Sequence, residues 1–276
     1  MKSLKMYRIN AFTGDGFGGN PAAVLPLEAW LENAQMQTIA AKINLSETAF
    51  FVPEGDDFRL RWFTPVQEVP LCGHATLAAA FVIFENDSLK NSIRFRTQCG
   101  DLTVTQSGGN LITLNFPREN PIECAAPIEL LNGLGKIPYK VLATKNDPNY
   151  YAVYDNEIDI REMSPNLSLL ERLHPFGVVV TAPGREVDFV SRYFAPSYGI
   201  PEDPATGSIH RALAPFWMNA SGKLKLHARQ LSKRGGEMFC ECLDERVLIS
   251  GRASKFLQAA LYYETLFRNY VKTEVN

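Results

Sequence analysis

Two segments of this chain follow one pattern. In DFRLRWFTP, Asp57 to Pro65, and DFVSRYFAP, Asp188 to Pro196, Arg61, Phe63 and Pro65 are answered by Arg192, Phe194 and Pro196. Each predicted strand leads through a short loop into a helix start built from small residues. With three extra residues allowed in the second loop, Cys72-Gly73-His74 aligns with Thr206-Gly207-Ser208, and TLAAAFVIF is answered by HRALAPFW. A pattern of this length read twice points to an internal duplication, which confines the chain to two domains of the same topology.

The spacing of apolar residues fills in the halves. MYRINAFT and PAAVLP read as strands on either side of a glycine-rich turn through Asp15 to Asn20. Glu28 to Ile43 carries Trp30, Leu31, Ala34, Ile39, Ala40 and Ile43 at mostly helical spacing. TAFFVP and DFRLRWFT are strands, and the alanine-rich run from Gly73 is a buried helix. SIRFRT, DLTVTQ and LITLNF are strands, after which PRENPIECAAP marks a boundary.

At 276 residues the chain can bury two cores, and 46% hydrophobic with 21% charged residues is ordinary for a globular protein. A net charge of −2 supplies no surface for nucleic acid. The basic N-terminus lacks an apolar stretch and no window reaches the roughly 18 apolar residues of a membrane span, so a cytoplasmic location is expected. Five cysteines without a CxxC pair exclude a disulfide framework or structural zinc.

The two glycine helix starts suggest chemistry. The first turn of a helix carries unpaired N–H groups and about half a positive charge, and glycine there lets a ligand approach the backbone. Gly73 and Gly207, with Cys72 and Thr206 beside them, are therefore candidates to bind a small carboxylate. Cys72 also reads as simple packing, and a lone Cys-Gly-His lacks the ligands of a metal site. His74, opening a helix beside glycine, favours a polar role over a core one. Glu47 in NLSETAF lies among Leu45, Ala49 and Phe50, where burial would suit it to acid/base work, although a loop carboxylate facing water is the ordinary reading. Asp203 in IPEDPATGS is equally a helix N-cap.

FGGNPAAVLP, NLSETAFF, RWFTPVQEVPLCGHATLAAA and GIPEDPATGS together resemble the PhzF-like (phenazine-biosynthesis-type) isomerase family of the diaminopimelate-epimerase-like superfamily, from near residue 7 to about residue 210. The resemblance implies an α+β fold of two pseudo-symmetric domains, each a curved β-sheet wrapped around a central helix, with the active site in the cleft between them. It places residues 1–116 plus 261–276 in the first domain, with the acid/base glutamate, and 117–260 in the second. It makes Glu47 the acid/base group, His74 and Asp203 substrate-orienting groups, Ser208 the matching hydroxyl, and Gly73 and Gly207 amide donors. It further implies no metal or organic cofactor, a small carboxylate-bearing substrate and a homodimer. The family's founding reaction moves a proton between ring carbons of a dihydro-hydroxyanthranilate. The epimerase and proline-racemase relatives use a cysteine on each face, whereas Cys72 is answered here by Thr206, a poor proton carrier.

The expectation is a proton-shifting isomerase. Two alternatives stay open: an amino- or hydroxy-acid epimerase or racemase using Cys72 and Glu47, and a metabolite-binding or interaction protein without catalysis. QLSKRGG, near Arg234, reads as a turn or an extra anion contact.

Overall fold

The computed structural model describes residues 3–14, 16–108 and 110–262. The chain begins with β1 (Ser3–Ala11), β2 (Asn20–Pro26), α1 (Asn33–Ile43), β3 (Glu47–Glu54), β4 (Asp57–Phe63), β5 (Glu68–Val69), α2 (Gly73–Asn86), β6 (Ser92–Thr97) and β7 (Gly100–Ser107). There follow β8 (Leu111–Pro117), β9 (Ile122–Glu123), α3 (Ile128–Leu134), β10 (Lys140–Ala143), β11 (Asn149–Val153), α4 (Glu157–Arg161), α5 (Leu167–Leu170), β12 (Gly177–Pro183) and β13 (Phe189–Ala195). The last elements are β14 (Ile200–Asp203), α6 (His210–Ser221), β15 (Lys225–Gln230), β16 (Gly236–Cys242), β17 (Arg246–Gly251) and β18 (Ala253–Tyr262). No helix among the described residues is long and apolar enough to cross a membrane.

The chain divides into two compact units. The first holds Met1–Ala11, Pro21–Ile112 and the segment from Ala253; the second holds Phe12–Asn20 and Thr113–Arg252. These bounds differ from the expected division at three places, one of them being residues 113–116, which fall in the second unit. Residues 253–260 belong to the first unit because β18 pairs antiparallel with β1, from Ala11 opposite Ala253 to Ser3 opposite Tyr262. Residues 12–20 belong to the second because Thr13 donates to Arg252 O and Glu237 donates to Phe12 O. Residues 263–276, also assigned to the first domain, lie outside the described residues.

In the first unit the strands run in the order β18, β1, β2, β3, β4, β6, β7. Helix α2 touches β18 and β1 near one edge, β3 in the middle and β7 at the other edge, so the sheet curls around it. That position explains the alanines. Gly73 through Ala80 are all buried, and only small side chains let a helix approach strands on several sides. Helix α1 covers the opposite face, where Met36, Ile39 and Ala40 meet Leu25, Phe50, Val52 and Phe63. It starts at Asn33, not at the expected Glu28, because Glu32 and Gln35 close a capping box there.

The second unit repeats this order. The parallel pairs β2–β3 and β4–β6 recur as β11–β12 and β13–β15, and the antiparallel pairs β3–β4, β4–β5 and β6–β7 recur as β12–β13, β13–β14 and β15–β16. One ion pair recurs with them. Arg61 grips Glu68 through Nε and Nη2 at 2.7 and 2.6 Å, and Arg192 grips Glu202 in the same way at 2.6 and 3.0 Å. Each guanidinium also lies over the phenylalanine two residues on. Bidentate geometry and partial burial make such a clamp stronger than an exposed ion pair.

Register then matches individual residues. Glu47, opposite Ala22, opens the β3 pairing, and Gly177, opposite Asn149, opens that of β12; the next residues, Thr48 and Val178, face Phe63 and Phe194. Gly177 therefore stands where the first unit has Glu47. A Cβ on Gly177 would come within 2.5 Å of both Asn149 Oδ1 and Tyr193 Oη.

Candidate active site

Glu47 is the first residue of β3, just beyond the left-handed Asn44 that ends α1. Side chains alternate along a strand, and Phe50 and Val52 pack under α1, so Glu47 and Ala49 point to the face that α2 occupies. There Glu47 Oε2 lies 3.1 Å from His74 Nε2. On the other edge of the imidazole, Nδ1 lies 3.5 Å from Cys72 Sγ. The Glu47 side chain keeps 12% of its surface exposed, whereas His74 and Cys72 are buried.

Electrostatics orders these three groups. Burial raises the Cys72 thiol above its ordinary range, and the nearby Glu47 carboxylate raises it further, so it keeps its proton. Burial disfavours a charged His74; with Cys72 keeping its proton, the Glu47 carboxylate 3.1 Å away is the charge that raises the imidazole above its ordinary range. A protonated His74 donates from Nδ1 to sulfur and sets its charged Nε2 edge 3.1 Å from the Glu47 carboxylate as an ion pair. Glu47, Cys72 and His74 each bring a donor atom within 4.8 Å of the others, the usual requirement for a metal site. The carboxylate and the thiol, however, lie against different ring nitrogens, so sulfur, oxygen and one nitrogen do not converge on a common point. The three side chains form a chain of contacts from sulfur through imidazole to carboxylate.

The second unit assembles a different group. Asp203, buried at the end of β14, accepts from Asn20 Nδ2 at 2.9 Å on one oxygen and from the Thr206 hydroxyl on the other. Thr206 has every polar atom engaged: its N–H donates to Gln230 Oε1 at 2.8 Å, its hydroxyl also accepts from Gln230 Nε2 at 3.1 Å, and its carbonyl meets His210 Nδ1 at 2.8 Å. Gln230 Nε2 also donates to the Asp203 carbonyl at 2.7 Å. Helix α6 begins at His210 and not at Gly207; residues 207–209 form a tighter turn in which His210 and Arg211 donate to Gly207 O and Ser208 O. Gly207 and Ser208 still present amides that have no partner among the described residues. Asp203 is consequently not the N-cap of α6.

His210 is fully buried, and burial lowers it from 6.5 to about 4, more than its bond to the Thr206 carbonyl restores. Between those values the unfolded chain binds a proton that the folded chain refuses, so stability falls as pH drops from 6.5 and the loss is complete near 4. The whole change is roughly 3 kcal/mol. Urea unfolding at pH 7 and pH 4.5 is expected to show most of it in wild type and a smaller pH dependence in His210→Gln.

Of the expected residues, the first unit brings together Glu47, Cys72, Gly73 and His74, and the second brings together Asp203, Thr206, Gly207 and Ser208. Sequence reasoning missed Asn20, His210 and Gln230. Gln230 carried a usable signal, since Leu226, Ala228 and Gln230 share the buried face of β15 and a buried amide needs partners. The Arg234 guanidinium donates to the carbonyls of Phe17, Gly18 and Gly19 at 2.9, 3.3 and 2.8 Å.

Comparison with known proteins agrees across nearly the whole chain. The family described as phenazine biosynthesis-like protein (PhzC-PhzF) matches residues 9–259. A protein of Pseudomonas aeruginosa named an uncharacterized isomerase is 45% identical over 260 residues, covering 94% of this chain and 99% of its own length. The crystal structure of a PhzF family protein from Enterococcus faecalis superposes with a TM-score of 0.90 at 42% identity, over 95% of this chain and 100% of that one. A hydroxyproline epimerase from Agrobacterium vitis shares the fold alone, with a TM-score of 0.63 at 12% identity over 94% and 92% of the two chains.

Proposed function

This chain belongs to the phenazine biosynthesis-like (PhzC-PhzF) family, and from that membership we propose that it is an isomerase which moves a proton between carbons of a small carboxylate-bearing metabolite, with Glu47 as the acid/base group. The observation that carries the reading is the asymmetry of the two units. A carboxylate stands beside a buried imidazole at the start of β3, and the equivalent position of β12 is Gly177, where even a methyl group is crowded. A single base that takes a proton from one carbon and returns it to another on the same face needs no opposing partner.

In this mechanism Glu47 removes the proton, and the charged edge of His74, 3.1 Å from Glu47 Oε2, keeps the carboxylate aimed. Gly207 and Ser208 offer amides to the substrate carboxylate, Asp203 orients a polar substituent, and Gly73 supplies a further amide. Such donors stabilise the negative charge that develops as the proton leaves. The chemistry calls on no metal or organic cofactor, and the assembly expected from the resemblance is a homodimer.

The racemase alternative needs Cys72 as a second base, and burial works against it by keeping the thiol protonated. Cys72→Ser is therefore expected to reduce turnover by less than the roughly 10²-fold that marks loss of an acid/base group. A folded but inactive serine variant would restore the thiol mechanism.

The direct test is proton NMR in D₂O with the dihydro-hydroxyanthranilate and several amino and hydroxy acids. Deuterium arriving at a different carbon from the one that lost its proton supports the isomerase. Exchange with inversion at a single carbon supports the racemase. Compounds that bind, seen as a raised unfolding temperature, and yet exchange no C–H proton would identify a binding protein.

A further inference from the structure

The residue ahead of the glycine in each half has a side chain turned to a neighbouring polar group. Cys72 Sγ reaches His74 Nδ1, and the Thr206 hydroxyl reaches Asp203 Oδ2. We infer that Cys72 and Thr206 are positioning residues, Cys72 acting through His74 and Thr206, itself held by Gln230, acting through Asp203. This rests on the proposed roles of His74 and Asp203 and adds what keeps each of them in place.

The backbone around each brace is fixed. Cys72 is the extended residue that starts α2, and its carbonyl accepts both the N–H of Thr76 at 3.1 Å and its hydroxyl at 2.5 Å. That grip fixes the backbone from which Sγ projects, and a ring held at Nδ1 presents Nε2 to Glu47. A buried imidazole can rotate about χ2, and only a partner on its far nitrogen removes that freedom. In the second unit Gln230, fully buried on β15, spans the loop: it accepts from the Thr206 amide and donates to the Asp203 carbonyl. The Thr206 hydroxyl donates to Asp203 while accepting from Gln230, which fixes the direction of its proton. Asn20 completes the hold, donating to Asp203 Oδ1 and to the Ala205 carbonyl.

A hydroxyl in place of the thiol keeps an acceptor for His74, and a serine in place of Thr206 keeps the donor for Asp203. Alanine at 72 and valine at 206 keep the approximate bulk and lose the bond. Gln230→Leu removes the amide that aims Thr206. A catalytic group misplaced by about 1 Å can cost about 10²-fold in rate.

The first readout needs no substrate. The full-length protein is labelled with nitrogen-15 in histidine rings and with carbon-13 in aspartate carboxyls, and the His74 and Asp203 resonances are assigned by His74→Gln and Asp203→Asn. The His74 Nδ1 resonance is expected to move in Cys72→Ala and to stay near its wild-type position in Cys72→Ser. The Asp203 carboxyl resonance is expected to move in Thr206→Val and Gln230→Leu and to stay in Thr206→Ser. Unmoved resonances in the alanine, valine and leucine variants, with folding intact by circular dichroism, overturn the inference whatever reaction the protein performs. Resonances that move alongside an unchanged turnover of a compound that Asp203→Asn processes poorly would also overturn it. If Asp203→Asn and His74→Gln turn over normally, the proposed roles of those two residues fail instead.

Discussion

Glu47→Gln is expected to lose turnover by at least about 10²-fold to 10⁴-fold, the range assigned to a positioned acid/base group, while folding and ligand binding persist. Glutamine has the same length and shape as glutamate, so the start of β3 and its pairing with Ala22 are undisturbed. What it lacks is the capacity to take a proton from carbon and give it back. The substituted side chain still fills the space beside His74 Nε2, so the variant separates proton transfer from packing. Deuterium incorporation in D₂O is the readout that separates the cases. A variant that binds a substrate, leaves its C–H protons in place and unfolds at the wild-type temperature is the expected outcome. Near-normal exchange would remove Glu47 from the chemistry and return attention to Cys72.

Gly236→Ala is expected to destabilise the protein by about 1–3 kcal/mol, the usual cost of forcing an extra methyl into a packed site. The new Cβ would sit 2.5 Å from the Cβ of Ala205 and 3.4 Å from its Cα. Alanine has no flexible end that can swing aside, so the backbone must move. Ala205 lies between Asp203 and Thr206, and a shift there strains the bonds from Asn20 and Gln230. The lesion therefore carries a functional signature beyond stability, a rise in KM for any substrate that Asp203 orients. Adding Ala205→Gly removes the methyl that is struck and should recover most of both losses, as expected for two residues in direct contact. An additive double variant would show that the strain lies elsewhere.

Much of the framework could be read from local pattern. The period of two in DFRLRWFT and the alanine run after Gly73 identify β4 and α2 because both signals are short-range. The repeated arginine was also visible, but its glutamate partner was not: Glu68 and Glu202 stand seven and ten residues after their arginines, and the extra length of the second loop hides the match. The same insertion puts a tight turn ahead of α6, so the aligned glycines begin different structures. Glu47 and His74 were legible as types suited to proton transfer, whereas their 3.1 Å approach depends on how β3 and α2 pack. Asn20 was beyond reach, since its bond to Asp203 spans 183 residues and leaves no trace in local composition. The return of β18 to β1 was missed by eight residues for a related reason, because nothing in the run from Arg252 to Leu261 marks a change of unit.

That return has a consequence for how the protein comes to be made. During synthesis β1 leaves the ribosome ahead of Thr113–Arg252, and its antiparallel partner Ala253–Tyr262 emerges only after that segment. The segment Thr113–Arg252 can begin to condense while β1 still has an open edge, and the sheet around α2 stays unfinished until β18 has been made. A strand pairing of this sequence separation is slow to form and leaves an exposed edge in the meantime. The nascent chain thus holds the Glu47 half open for longest. A chaperone that shields strand edges would be most needed during that interval.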